Sequence, residues 1–260
     1  MLIQFFADYV KHRLTSKSRH GTHSPFVYKL VDEVIYDFSA KKVYEEIEKQ
    51  RKKLLNDDTI LTISNLEAGS HLNRRREKKV SEVAKNALKN PRLTQLVYRL
   101  AHHHPLQNII ELGTCLGITT VYLAKANPTA TVVTMEGCPD TANVAYQNFV
   151  SLGLTNVELQ VGNFNDLFPK EVENTAKLDL VYINGNRTKE ATLNYFNTCL
   201  PNIHEGTLLI FNDIYWGKGM KDAWETIKAH PQVTVTIDLF AIGLVYFKKD
   251  QVKEHFKIKF

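Results

Sequence analysis

The chain has 260 residues, of which 43% are hydrophobic and 23% charged, the composition of an ordinary folded protein long enough to bury a core without disulfides. Its formal net charge of +5 permits an anionic substrate without demanding one. No run approaches the roughly 20 apolar residues of a membrane span. The opening MLIQFFADYVKHRL lacks the apolar stretch and cleavage site of a secretory signal.

Residues 1–105 read as a helical N-terminal extension, and residues 106–260 as an α/β domain. Leu2, Phe5, Phe6 and Tyr9 fall at helical spacing, as do Phe26, Leu30, Val34 and Ile35. Between these helices SRHGTHSPF (18–26) reads as a loop, with Ser24 as N-cap and Pro25 at the first helical position. Residues 40–56 form a highly charged helix whose thin apolar stripe is Val43, Ile47, Leu54 and Leu55. The segment 65–80 contains a mobile loop, and 81–103 returns to helix.

From Asn108 onward, short β-branched runs alternate with helical segments. Strands are expected at 108–112, 131–136, 157–161, 178–183 and 207–212, with helices near 118–126, 140–152, 188–203 and 218–230. That alternation implies right-handed crossovers and a mostly parallel sheet. Two further strands, 233–239 and 243–249, are joined by too few residues for a crossover, so they must be antiparallel neighbours. The expected fold is α/β, a seven-stranded, mostly parallel sheet with an antiparallel last strand. Cys115, Cys138 and Cys199 are scattered without metal-ligand spacing and read as reduced thiols of a cytoplasmic protein.

The first of these strands runs into Glu111-Leu112-Gly113-Thr114-Cys115-Leu116-Gly117 and then directly into a helix. Glycines at such a turn let the backbone approach a ligand where a Cβ would collide, at the strand ends where ligands of doubly wound sheets bind. The spacing is E-x-G-x-x-x-G rather than the dinucleotide pattern G-x-G-x-x-G. Glu136 ends the second strand, where an acidic side chain can accept both ribose hydroxyls of an adenosine.

ELGTCLG, then TMEG, then VGNFNDLF resemble the motifs of class I S-adenosylmethionine (AdoMet)-dependent methyltransferases, in particular the catechol and caffeoyl-CoA O-methyltransferase-like group. The resemblance covers residues 106–250, and RHGTHSPF is similar to a bacterial branch of that group. It implies a Rossmann-like fold, AdoMet as cofactor and O-methylation of a small molecule. By position, Glu111, Gly113, Thr114 and Gly117 line the methionine part of AdoMet, and Thr119 meets its carboxylate at a helix N-terminus. Glu136 and Gly137 hold the ribose, Gly162, Asn163, Phe164 and Asn165 surround the adenine, and Asn184 completes the set.

The resemblance weakens at the reaction site. In metal-dependent members, carboxylates stand at the positions of Asn184 and Asn212, followed by Asp or Asn at that of Asp213; together they hold Mg²⁺. Hard cations want several anionic oxygens, and here Asp213 is the one carboxylate left. A metal is therefore doubtful and no metal ligand is assigned. A Lys or His base stands in the group where this chain has Arg187, which stays protonated and removes no proton. Asp213, Asn184 and Lys189 are the candidate catalytic residues, Lys189 only if burial lowers its pKa. Without a metal, positioning of the activated methyl group carries more of the rate.

RRREKK (74–79) reads as a solvated face rather than a nucleic-acid patch, His102, His103 and His104 as a connecting turn, and His20 and His23 as flanks of Gly21 in a loop. Tyr215 and Trp216 lie at the strand-end face and suit an aromatic pocket. Two alternatives stay open: a catalytically weakened AdoMet-binding regulatory protein, and an RNA methyltransferase. INGN (183–186) stands where many base N-methyltransferases carry N-P-P-[YF]. The expected partner is a small-molecule substrate, without nucleic acid or membrane span, in a chain that could pair as a homodimer.

Overall fold

The computed structural model describes residues 2–18, 23–63, 77–249 and 251–260. Helix α1 (Leu2–Thr15) precedes α2 (Pro25–Leu30), whose first turn Ser24 caps by accepting the Val27 N–H. Helix α2 runs on into a π-helical turn over Val31–Ile35. There follow α3 (Lys42–Leu54), an antiparallel strand pair β1 (Ile60–Thr62) and β2 (Glu77–Lys79), α4 (Val80–Ala87) and α5 (Pro91–His102). The alternation then runs β3 (Asn108–Leu112), α6 (Ile118–Ala126), β4 (Thr131–Glu136), α7 (Pro139–Ser151), β5 (Val157–Val161) and α8 (Phe164–Asn174). It continues with β6 (Leu178–Ile183), α9 (Lys189–Cys199), β7 (Ile203–Asn212), α10 (Lys218–Ala229), β8 (Val235–Asp238), β9 (Ile242–Tyr246) and β10 (Glu254–Lys257). No described helix is long and apolar enough to cross a membrane.

The chain forms two compact units, one over Phe38–Glu171 and one assembled from Met1–Asp37 with Val172–Phe260. The first 105 residues thus contribute to both. In the continuous unit, β3, β4 and β5 pair in parallel, Ile109 opposite Val132 and Thr134 opposite Leu159. Helix α6 is buried from Ile118 to Ala124, so its apolar residues surround it rather than forming a stripe. Tyr122 on α6 donates its hydroxyl to Glu48 Oε1 at 2.9 Å, and burial raises its pKa. The buried side of α3 is Tyr44, Ile47, Gln50, Arg51 and Leu54. This side differs from the expected stripe because Arg51 is satisfied inside, by Glu48, the Lys89 carbonyl and Thr94.

In the discontinuous unit the strand order is β10-β8-β9-β7-β6. Strand β6 is parallel to β7 and β10 to β8, whereas β9 runs antiparallel to both β7 and β8. The antiparallel pair expected after residue 233 is therefore present, with Val235 opposite Tyr246. Gly243 lies inside β9 because α10 presses Trp224 onto it: a Cβ there would stand 2.5 Å from the indole. Helix α1 packs through Phe5 and Tyr9, both edge-on to Phe240, and through the buried His12. Phe6, expected on that face, is 67% exposed.

Among the described residues eight strands share the mostly parallel pairing, one more than the seven expected. The extra one, β10, reads EHFK and offers no apolar run to recognise. Helix α8 was hidden by Pro169 within it, and β1 and β2 by the charged residues around them. The loop expected over 65–80 lies mostly outside the described residues, as do Arg74, Arg75, Arg76 and His20.

Candidate functional site

In the continuous unit, the turn after β3 is built from backbone. Gly113, Cys115 and Gly117 all take positive φ, at 92°, 51° and 80°. At Gly117 a Cβ would lie 2.6 Å from the Phe149 ring, so both conformation and space require glycine. The Gly113 and Thr114 N–H groups both donate to the Met135 carbonyl at the end of β4, at 3.0 and 3.1 Å. Helix α6 then starts without a side-chain cap, leaving its first N–H groups open to an anion. Asn148 of α7 donates to the Leu116 carbonyl and is held in turn by Gln50 of α3. No motif pointed to either, since a long-range side-chain bolt leaves no local pattern.

Glu111 is fully buried. Its Oε2 accepts the Thr120 and Thr134 hydroxyls, Thr134 also bonds Thr114, and Oε1 has no partner. Burial pushes this carboxyl up to about 7, against the pull of the two hydroxyls. Glu136 is aimed by backbone: Oε2 accepts the Cys115 N–H at 2.7 Å and Oε1 the Cys138 N–H at 3.0 Å. The Gly162 N–H donates to the Glu136 carbonyl, so β3, β4 and β5 end together. There Asn163 and Asn165 are exposed and joined through the Asn163 Oδ1, whereas Phe164 is 6% exposed. Thr119 is buried in the first turn of α6 and Gly137 beside Glu136.

In the discontinuous unit, Asn184 follows β6 and Asn212 ends β7. Asn212 Nδ2 donates to Asn184 Oδ1 and to the Tyr182 hydroxyl, while its own Oδ1 is buried without a partner. Asp213, at φ 56°, forms an ion pair with Arg187, Nε to Oδ2 at 2.7 Å, and the guanidinium lies 4.7 Å from the Trp216 ring centroid. Lys189 begins α9 behind its Thr188 cap, 3.6 Å from the position a Cβ on Gly219 would take. Tyr215 turns away from Trp216, donating to Asp238 and stacking on Phe240. Asn184, Arg187, Asn212 and Asp213 therefore share one strand-end cluster. The histidines 102–104 play other parts: His102 bonds the Ala126 carbonyl and stacks on Tyr98.

This cluster does not suit a divalent ion. The one carboxylate is engaged by a guanidinium, Asn184 Oδ1 is turned to an amide donor, and one amide oxygen remains. Hard cations need several oxygen ligands.

A family model described as a methyltransferase domain matches residues 110–214. A catechol O-methyltransferase of Niastella koreensis is 31% identical over 128 residues, 48% of this chain and 57% of that protein. The chain thus aligns with little more than half of that curated relative. Among solved structures, an O-methyltransferase of Bacillus cereus in complex with SAH is similar at a TM-score of 0.56 and 21% identity, covering 81% of this chain and 93% of that one. Podospora anserina PaMTH1, also SAH-bound, gives a TM-score of 0.61 at 13% identity, covering 88% and 98%. The likenesses agree with the strand pattern and the glycine turn: the chain has the fold of these methyltransferases, and its residues 110–214 match the methyltransferase-domain model.

Proposed function

We propose that the protein is an AdoMet-dependent methyltransferase acting on an oxygen of a small molecule. The observation that carries this reading is Glu136, a buried carboxylate aimed by two backbone N–H groups beside a glycine turn. That arrangement suits a ribose diol, which donates two hydrogen bonds to one carboxylate. The chemistry of a bound AdoMet would be a methyl group activated by its sulfonium. On the side of this chain, Gly113, Thr114 and Gly117 give the close backbone approach and the open N-terminus of α6 with Thr119 receives the methionine carboxylate. Glu111 lies behind the turn, Gly137 beside the ribose, and Gly162, Asn163 and Asn165 offer the adenine a polar rim over the buried Phe164. Asp213 and Asn184 belong to the acceptor side, with Lys189 as the remaining candidate base.

The same reading takes residues 1–105 as the extension that shapes substrate choice and 106–260 as the AdoMet-binding domain. It makes the acceptor a small molecule rather than a nucleic acid. A cytoplasmic protein with three free cysteines is consistent with it, and a homodimer is compatible with it.

Calorimetry with S-adenosylhomocysteine (SAH) tests the reading. The wild type should bind, and Glu136→Ala should weaken binding by about 1.5–3 kcal/mol, the range for hydrogen bonds to a charged group. Unchanged affinity in that variant would remove Glu136 from the ribose.

A further inference from the structure

At the ends of β6 and β7 an arginine–aspartate ion pair stands among neutral amides. We infer that Arg187 is an anion-binding residue: the cluster takes an acceptor whose oxygen is already ionised, such as a phenolate or carboxylate, and does so without a divalent metal. The inference rests on the methyltransferase reading for its role in catalysis, but its geometry is independent of the cofactor side.

Arg187 is held at two points. Nε lies 2.7 Å from Asp213 Oδ2 in an ion pair, and the Trp216 ring lies against the guanidinium at 4.7 Å. Neither contact uses the Nη groups, which make no hydrogen bond among the described residues. The side chain is 38% exposed, so a ligand can reach those donors. Their planar fork matches the two lone pairs of an oxyanion.

The neighbouring amides supply too few oxygens for a divalent cation. Asn212 Nδ2 is spent on Asn184 Oδ1 and the Tyr182 hydroxyl. The unpartnered Asn212 Oδ1 lies in a residue only 3% exposed, which helps line a cavity of about 10 Å³ together with Asn184, Arg187 and Thr192. That volume suits a single water. A divalent ion on Asp213 would also have to displace the guanidinium or endure its repulsion. With Asp213 beside it, Arg187 forms a pair of zero net charge, and an arriving oxyanion competes with Asp213 for it. A guanidinium has no lone pair to receive a proton, so an acidic acceptor releases its proton to water before it binds.

The probe is 4-nitrophenol, followed by absorbance in SAH-containing samples below and above its ionisation. Wild type should bind the phenolate at least about tenfold more tightly than the neutral phenol, the scale of one charge-assisted hydrogen bond. Arg187→Ala should lose that preference while keeping SAH affinity, and Arg187→Lys should restore part of it. Asp213→Asn removes the competing carboxylate and should tighten phenolate binding, whereas a metal site would weaken. Phenolate binding that survives Arg187→Ala, falls in Asp213→Asn, or requires Mg²⁺ and disappears with EDTA would overturn the inference. So would failure of the wild type to bind the phenolate. SAH affinity separates the two readings: wild-type protein that binds no SAH defeats the methyltransferase reading. Protein that binds SAH but whose probe affinity ignores Arg187 defeats the anion site alone.

Discussion

Two carboxylates close the two strand-end clusters, and they are handled in opposite ways. Glu136, in the continuous unit, is aimed by the N–H groups of Cys115 and Cys138. Asp213, in the discontinuous unit, is engaged by the side chain of Arg187. Backbone donors cannot be substituted away without refolding the turn that presents them, so the first arrangement is fixed by conformation. The second is fixed by the chemistry of two side chains, and one replacement can change what it binds while the fold stays intact.

The largest test of this contrast is Gly117→Ala. The new Cβ would need φ near 80° and would stand 2.6 Å from Phe149. Strain and overpacking together should cost about 2–5 kcal/mol of stability, read as a fall in the urea midpoint at unchanged slope. A variant as stable as wild type would mean that the turn relaxes freely and that backbone does not define it.

Glu111→Gln probes the buried carboxyl behind that turn. Its folded-state pKa is about 7 against an ordinary 4.5, so between those values the folded state binds more protons than the unfolded chain. Stability should therefore fall as pH rises through this window and level off above 7. The variant, which cannot ionise, should gain on wild type by roughly 3 kcal/mol from below 4.5 to above 7. Denaturation curves of both proteins across pH measure it, and a gap that does not widen with pH would place the charge elsewhere.

The smallest expected effect belongs to the side-chain cluster. Trp216 is 43% exposed, and Trp216→Ala removes a ring contact to a half-exposed guanidinium. Stability should change by roughly 0.5–1 kcal/mol. A loss several times larger by the same denaturation assay would show that the ring supports the fold and not only Arg187.

What the sequence made legible follows the same division. Gly113, Gly117 and Glu136 announce themselves because a turn that must take positive φ needs glycine, and because the acid sits at a strand end. The parallel strands were legible as β-branched runs. Asn148 and Gln50, which bolt the turn from two helices, left no trace, since neither residue type nor spacing marks a contact 98 positions apart. Arg187 and Asp213 were both visible, yet not as a pair: chain separation says nothing about which cation meets which carboxylate. Phe6 was misjudged because α1 buries a face centred on His12, whose partner Asp238 lies near the other end of the chain.

That last contact carries a consequence for synthesis. Burial pushes the Asp238 carboxyl up, but hydrogen bonds from His12, Tyr215 and the Phe240 N–H hold it below the usual range. His12 and Asp238 are 226 residues apart, and Tyr36 similarly donates to the Lys259 carbonyl. At ribosomal rates of about 5–20 residues per second, α1 leaves the tunnel roughly 10 to 45 s before its partner exists. The continuous unit over Phe38–Glu171 has all its own strands well before then. Helix α1 thus emerges long before it can dock, and for that interval Phe5 and Tyr9 have no Phe240 to cover them.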